Sequence, residues 1–494
     1  MTDEPLPPTQ RSFLRLTSRS THERGTQHCP MARWIEYHAG PYGYGLSRRA
    51  MSLPLVTGTY THLGITSILE WVIEARQKSG AQPEFVPDDV IRWAVELSLE
   101  EYKKVCAARG ILKLAEGDPE SLQRLQDLIR EQCYLIEGLI WAWCLVRLPI
   151  LLRDYTIIAV EEEEEYVLGC TCGAGNGVGT FLDHELRGCN GIGTQSKPDI
   201  LAERKSDGAY GYFELKTSGF ASKGQNEAWE RKQQFILGML GAERRHGVAI
   251  THAWVETLIK GKRDRERPYD PAKPKVQMSV FCRAYYRPPN VPLQPSGEWR
   301  PGYNYTTTLG EEFTADKRSG FRPTALWDPP EADAWAGKPE EMSVVEYWAK
   351  ALLQDYQPHL EKQIVAIGPL PRNDEQAQKA LRSIEAEENL WQDRLWKIWD
   401  FAQQTGTGWG DDLFHEFVET VVPRSWHCDP FQDHPCPNQV ICHPQTDDWR
   451  RPVESQLFVY RSPHHLAEAE QMRARGLEPP QQGLGEEEGE QDDE

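Results

Sequence analysis

Three short stretches carry side chains able to do chemistry. The first is Lys197-Pro198-Asp199, followed after a turn by Phe213-Glu214-Leu215-Lys216-Thr217. Asp207-Gly208 between them predicts a two-residue hairpin, because a type I′ turn needs positive φ at both central positions. In that register Asp199 lies opposite Lys216 and Leu201 opposite Glu214. Side chains alternate along a strand, so Glu214 and Lys216 share a face, Asp199 joins it across the ladder, and Phe213 and Leu215 point to the core. Two carboxylates suit a hard cation such as Mg²⁺ or Mn²⁺, which polarises a phosphate and acidifies an attacking water. A lysine beside them can orient that water or offset charge on the phosphate. The plainer reading is a solvated hairpin with one cross-strand ion pair, worth little.

The second stretch is Gly58-Thr59-Tyr60-Thr61-His62. A lone histidine is more often a packed or surface residue than a ligand, but a neutral imidazole is a reasonable partner for Mn²⁺ and a poorer one for Mg²⁺. The third set is cysteines: Cys29 in Cys29-Pro30, and far away Cys428, Cys436 and Cys442. Four thiolates can hold an iron–sulfur cluster or a tetrahedral zinc, and His427, His434 and His443 keep a mixed Cys/His zinc site open. Cys170, Cys172, His184 and Cys189 form a further possible set in a glycine-rich loop. Cys-x-Cys is a poor bite for zinc, so ordinary reduced thiols are the preferred reading there. Cys106, Cys133, Cys144 and Cys282 read as core. The acidic run Glu161–Glu165 reads first as a solvated edge or loop, with one of its carboxylates reaching a metal as the second reading.

Pro198-Asp199, a turn, then Glu214-Leu215-Lys216-Thr217 resembles the signature of the PD-(D/E)XK nucleases. The order Cys-Pro, Gly-Thr-x-x-His, Pro-Asp, Glu-x-Lys and Cys-x5-Cys is similar to the RecB-like branch, including the AddB-like and CRISPR-associated Fe–S exonucleases. The resemblance implies a restriction-endonuclease-like mixed sheet flanked by helices, with helical terminal parts joined by a metal staple. It implies Asp199, Glu214 and His62 as Mg²⁺ or Mn²⁺ ligands, Lys216 assisting the water, and Cys29, Cys428, Cys436 and Cys442 around a 4Fe–4S cluster, with zinc as the alternative. The family's usual third cysteine position is Asp433 here, so Cys428 would reach in through a longer loop. The branch also carries a Gln and a Tyr one helical turn apart after the lysine; Gln233 and Gln234 are present for contacts to DNA, but position 237 is leucine and 238 glycine. DNA is the implied partner, with a helicase, recombination or CRISPR/phage protein as companion. A DNA-end-binding scaffold that never cuts is the competing expectation. A restriction-type endonuclease ranks below both, because no base-reading module is evident.

These groups need elements to position them. Apolar residues recur at helical spacing over Ile65–Ala108, broken near Pro83 and Pro87, and again over Asp118 to about Leu148. Strands are expected at Tyr155–Val160, Asp199–Ala202, Tyr210–Lys216, Val248–Leu258 and Val276–Tyr286, with helices at Asn226–Glu243, Met342–Tyr356 and Asn373–Gln404. Residues 1–24 read as a polar arm, 25–445 as the α/β nuclease domain, 446–472 as an extension, and 473–494 as a disordered acidic tail. The 494 residues are 39% hydrophobic and 26% charged, the balance of a soluble globular protein. The net charge of −20 argues against broad DNA coating. However, seven of those negative charges lie in the last nine residues, and a basic run occupies Lys260–Arg267. No secretory core is visible near the N-terminus, and Glu137 and Arg147 interrupt the longest apolar run, so no membrane contact and a cytoplasmic location are expected.

Overall fold

The computed structural model describes residues 29–37, 45–48, 53–108, 118–173, 191–218, 233–260, 363–408 and 411–423, and shorter pieces at 16–18, 22, 25, 111, 304–306, 312–314, 342–343, 345–346, 349–350, 438–442 and 458–460. In chain order the elements are β1 (Leu16–Ser18), α1 (Pro30–Tyr37), β2 (Leu46–Arg48), α2 (Leu53–Ser79), α3 (Asp88–Ala108), α4 (Pro119–Val146), α5 (Leu148–Asp154), β3 (Tyr155–Val160), β4 (Glu164–Leu168), β5 (Ile192–Ser196), β6 (Ile200–Arg204) and β7 (Tyr210–Ser218). There follow α6 (Gln233–His246), β8 (Ile250–Ile259), β9 (Asn304–Thr306), β10 (Glu312–Thr314), β11 (Ile364–Pro371), α7 (Asp374–Thr405), α8 (Asp412–Val421), α9 (Gln439–Cys442) and β12 (Phe458–Tyr460). The expected strand at Val276–Tyr286 lies outside the described residues.

The chain is mixed α/β. Its main sheet has the order β11-β8-β7-β6-β3, with β7 and β8 parallel and the other neighbours antiparallel. One face packs Ile200, Ala202, Phe213 and Leu215 against α2, α3 and α4, through Ile65, Leu69, Ile136 and Ile140. The opposite face packs Leu201, Tyr212 and Val255 against Phe235, Met239 and Ala242 of α6. Interior strand β8 is therefore covered on both sides, and Ile250–Ile259 is buried along most of its length even where it carries polar residues. Its buried Glu256 is satisfied by Trp143 Nε1 at 2.6 Å and Arg147 Nε at 2.9 Å. Edge strand β11 carries Pro369 and Pro371, which only an edge or a bulge tolerates, and a bulge falls between Ile367 and Leu370.

The terminal parts pack together, as the helical flanks suggested. Trp34 and Ile35 of α1 share a buried cluster with Trp391, Leu395 and Ile398 of α7 and with Phe414 and Val418 of α8. β2 pairs with β12, and Asn438 Nδ2 donates to Glu36 at 2.7 Å. Part of the 1–24 arm is built into this structure. β1 pairs in parallel with β5, and buried His22 stands 2.7 Å from Glu388.

Leu128–Asp154, which contains the interrupted apolar run expected around Leu135–Leu152, has the length and mean hydropathy (1.8) of a membrane-crossing helix, and 72% of its apolar window is buried inside the protein. Both interrupting charges have partners, Arg147 on Glu256 and Glu137 on Ser343.

Candidate metal centre

The β6–β7 hairpin departs from the two-residue turn in an informative way. The pairs are Ile200 with Phe213, Leu201 with Tyr212 and Ala202 with Gly211, so Asp199 comes level with Glu214, not Lys216. The loop is longer because Asp207 has better partners than a tight turn would give it. Its carboxylate takes Arg204 at 2.8 and 2.6 Å and accepts the Ala209 N–H at 3.2 Å. Gly208 N–H closes onto the Arg204 carbonyl at 2.9 Å with φ +72°. The register moves by two residues, which preserves face parity; a one-residue slip would have sent Asp199 to the wrong side.

β3 adds the next member. It pairs antiparallel with β6, Val160 opposite Ile200, so the following residue, Glu161, arrives level with Asp199. Glu161 N–H donates to the Asp199 carbonyl at 3.0 Å. Glu161 holds φ +51°, a conformation non-glycine residues seldom adopt, as the chain turns off the strand end.

His62 comes from α2. That helix begins at Leu53, so the Gly-Thr-x-x-His stretch lies inside it. Gly58 is the reason it can approach: a Cβ there would sit 2.3 Å from Thr217 Oγ1, next to Lys216 on β7. One turn further on, His62 reaches the strand ends. The result is a group in which one ligand atom each from His62, Glu161 and Asp199 lies within 4.8 Å of the other two. His62 Nδ1 stands 3.9 Å from Glu161 Oε1, and Lys197 Nζ 2.6 Å from Glu161 Oε2.

Glu214, expected as a ligand, lies beside this group and is 1% exposed. Its Oε1 is 2.5 Å from Lys216 Nζ, and its Oε2 accepts from the Tyr212 hydroxyl. Asp199 Oδ2 accepts the Leu215 N–H at 2.5 Å. Burial, reinforced by the Glu214 and Glu161 charges, raises the Asp199 carboxyl well above its ordinary range; Lys216 and the Leu215 N–H oppose this only in part. Burial and the charges of Lys216, Lys197 and Lys260 lower the His62 pKa to about 3, so its imidazole is neutral.

The donor set fits a divalent cation. One neutral imidazole and two carboxylates match the ligand types such ions take, and bond lengths of roughly 2.0–2.6 Å need donors about this close together. A cation would also relieve what holds the Asp199 pKa up, since it offsets crowded negative charge in a buried place.

The structure thus brings His62, Asp199, Glu214 and Lys216 to one end of the sheet. Gln233 and Gln234 begin α6, with side chains outside the description. The space one turn along α6 is already filled: a Cβ at Gly238 would lie 2.5 Å from the Tyr212 hydroxyl. That gives a physical reason for the missing helical tyrosine. Glu161 deserved more weight than its acidic run suggested; the β3–β6 pairing was the signal, and it is not local. Lys197 and Tyr212, inside or beside the Pro-Asp and Glu-x-Lys motifs, hold Glu161 and Glu214, contacts that the motif alone does not reveal.

Cys29 and Cys442 both belong to the buried terminal cluster, while Cys428 and Cys436 lie outside the described residues. Cys170 and Cys172 bring their sulfurs to 3.6 Å; His184 and Cys189 are also outside. No protein-family model matches the chain, and no curated protein matches it either.

Proposed function

We propose that this chain is a divalent-metal-dependent DNA nuclease of the PD-(D/E)XK type, acting as an exonuclease on single strands or DNA ends. The observation that carries the reading is the convergence of His62, Glu161 and Asp199 next to the Lys216–Glu214 pair. The helix-flanked mixed sheet, with Asp199 and Glu214 on adjacent antiparallel strands, supports a restriction-endonuclease-like core.

In this reading His62, Glu161 and Asp199 hold Mn²⁺ or Mg²⁺, while Glu214, the ligand expected from the motif, stands outside that set with its oxygens on Lys216 and Tyr212. When bound, such an ion polarises the phosphate and acidifies a water. Lys216 Nζ is placed to orient that water or to donate to a phosphate oxygen. Glu214 Oε1 fixes that ammonium, and the Tyr212 hydroxyl fixes Glu214 through its other oxygen. A neutral His62 has a lone pair for a ligand bond, and burial together with the neighbouring lysine charges favours that form.

Cys29 and Cys442, with Cys428 and Cys436, would hold a 4Fe–4S cluster or, in its place, zinc. Either would staple the C-terminal segment to α1. DNA is the partner, with a helicase, recombination or CRISPR/phage protein beside it, in a cytoplasmic setting.

The test is Lys216→Ala. Mn²⁺-dependent cleavage of single-stranded DNA should be lost while the variant keeps the folded far-UV circular-dichroism spectrum, at some cost in stability because Glu214 loses its buried partner; unchanged cleavage overturns the assignment. A wild-type protein that binds DNA ends in Mn²⁺ and never cuts them would establish the scaffold reading instead.

A further inference from the structure

Lys197 is 42% exposed, yet its ammonium lies 2.6 Å from Glu161 Oε2, one of the two carboxylates in the candidate metal group. A long, half-exposed lysine loses rotamer freedom when held in one place, and surface pairs of this kind are weak. Here it answers a specific need. Glu161, Asp199 and Glu214 bring three carboxylates together, and Lys197 and Lys216 are the ammonium groups paired with them. A divalent cation would hold Asp199 ionised, and with all five groups charged the cation turns their balance from negative to positive, the sign that attracts a phosphodiester.

We propose that Lys197 is an exchangeable counter-ion: it neutralises Glu161 until a divalent cation takes that carboxylate, and the released ammonium then binds a phosphate of the nucleic acid. This rests on reading His62, Glu161 and Asp199 as a metal centre. Metal binding thereby creates part of the anion site, so cation precedes DNA. Lys197 suits the exchange because it is the outermost of the two paired lysines, at 42% exposure against 24% for Lys216. It also sits two residues before Asp199, at the mouth of the β6 strand end. Glu70 on α2 feels the charges of both Lys197 and Glu161, and it offers the released ammonium a competing destination.

The test uses the full chain with Lys197→Met, which keeps the stem and removes the charge, and Lys197→Arg as the charge-retaining control. Mn²⁺ affinity is read from the free-ion electron paramagnetic resonance signal. Binding of a labelled, hydrolysis-resistant phosphorothioate single strand is read by anisotropy with and without Mn²⁺. Lys197→Met should bind Mn²⁺ about two- to five-fold more tightly, the scale of one exposed ion pair. The same variant should lose part of the Mn²⁺-induced tightening on the oligonucleotide, and Lys197→Arg should keep it. Mn²⁺ affinity that is unchanged or weaker in Lys197→Met, with wild type binding normally, overturns the counter-ion role and leaves the metal centre standing. Tighter Mn²⁺ binding with full oligonucleotide tightening overturns the transfer to phosphate and leaves Lys197 on Glu70. A wild-type chain that binds no Mn²⁺ overturns the metal centre and this inference together.

Discussion

Replacing Glu388 by Gln should destabilise the terminal packing by an amount the structure lets us work out. Glu388 on α7 is 1% exposed and accepts Arg33 NH1 and NH2 at 2.7 and 2.6 Å, with His22 Nδ1 at 2.7 Å. Arg33 also stacks 4.5 Å over Trp391. Burial alone would raise this carboxyl; the Arg33 charge, with the hydrogen bonds from His22 and Arg33, overcomes it and lowers the pKa from 4.5 to about 2. A fall of that size corresponds to about 3 kcal/mol of stability from ionised Glu388 at neutral pH. Removing one partner of a buried pair costs roughly 3–5 kcal/mol by an independent route, and the two agree. Because the folded pKa lies below the unfolded one, this contribution is complete above about pH 4.5 and is lost as pH falls towards 2. Urea unfolding of wild type and Glu388→Gln at a series of pH values is the assay. The gap should be about 3 kcal/mol near neutrality and should narrow through that acid window. The double variant Arg33→Met/Glu388→Leu should recover much of the loss, since an apolar pair leaves no buried charge. A gap that stays constant on acidification, or a single variant as stable as wild type, would refute the electrostatic account of this contact.

Two further outcomes are expected, the first from the packing of α2 and the second from the proposed cysteine site. Gly58→Ala should weaken Mn²⁺ binding at the His62 group, because the new Cβ meets Thr217 Oγ1 at 2.3 Å and pushes α2 away from β7. Helix propensity favours the alanine by about 1 kcal/mol and overpacking opposes it by roughly 1–3 kcal/mol, so stability should fall by no more than about 2 kcal/mol while metal affinity falls. Adding Thr217→Ala should restore the affinity, and a double-mutant cycle showing no coupling would sink the packing argument. Protein purified without oxygen should show the broad visible absorption of sulfur-ligated iron, and Cys29→Ala or Cys442→Ala should bleach it. A colourless, zinc-containing protein would replace the cluster with zinc.

Much of the centre was legible because strand alternation is a local rule. Asp199, Glu214 and Lys216 share a face for any even register, so the expectation survived a turn that was misjudged. The turn itself was misread because its length depended on where the Asp207 carboxylate found partners, which the Asp-Gly dipeptide does not reveal. Edge strand β11 escaped notice because its prolines and glycine look like a loop until the neighbour β8 is known. Strands β4 and β5 were likewise hidden beside an acidic run and a glycine-rich loop.

The sequence by itself pointed to Asp199 and His62 as possible cation ligands, set the alternation that puts Asp199, Glu214 and Lys216 on one face, and marked the helices and most central strands that carry them. These follow from spacing within a few residues. Only the tertiary structure decided that Glu161 stands beside Asp199 and that Gly58 lets α2 deliver His62. It also decided that Lys197 holds Glu161, and that Glu388 captures His22 and Arg33 from more than 350 positions away. Each of those contacts joins segments distant along the chain. Their energy comes from burial and charge pairing that no local pattern encodes, and strand pairing and helix packing had to be in place before they existed.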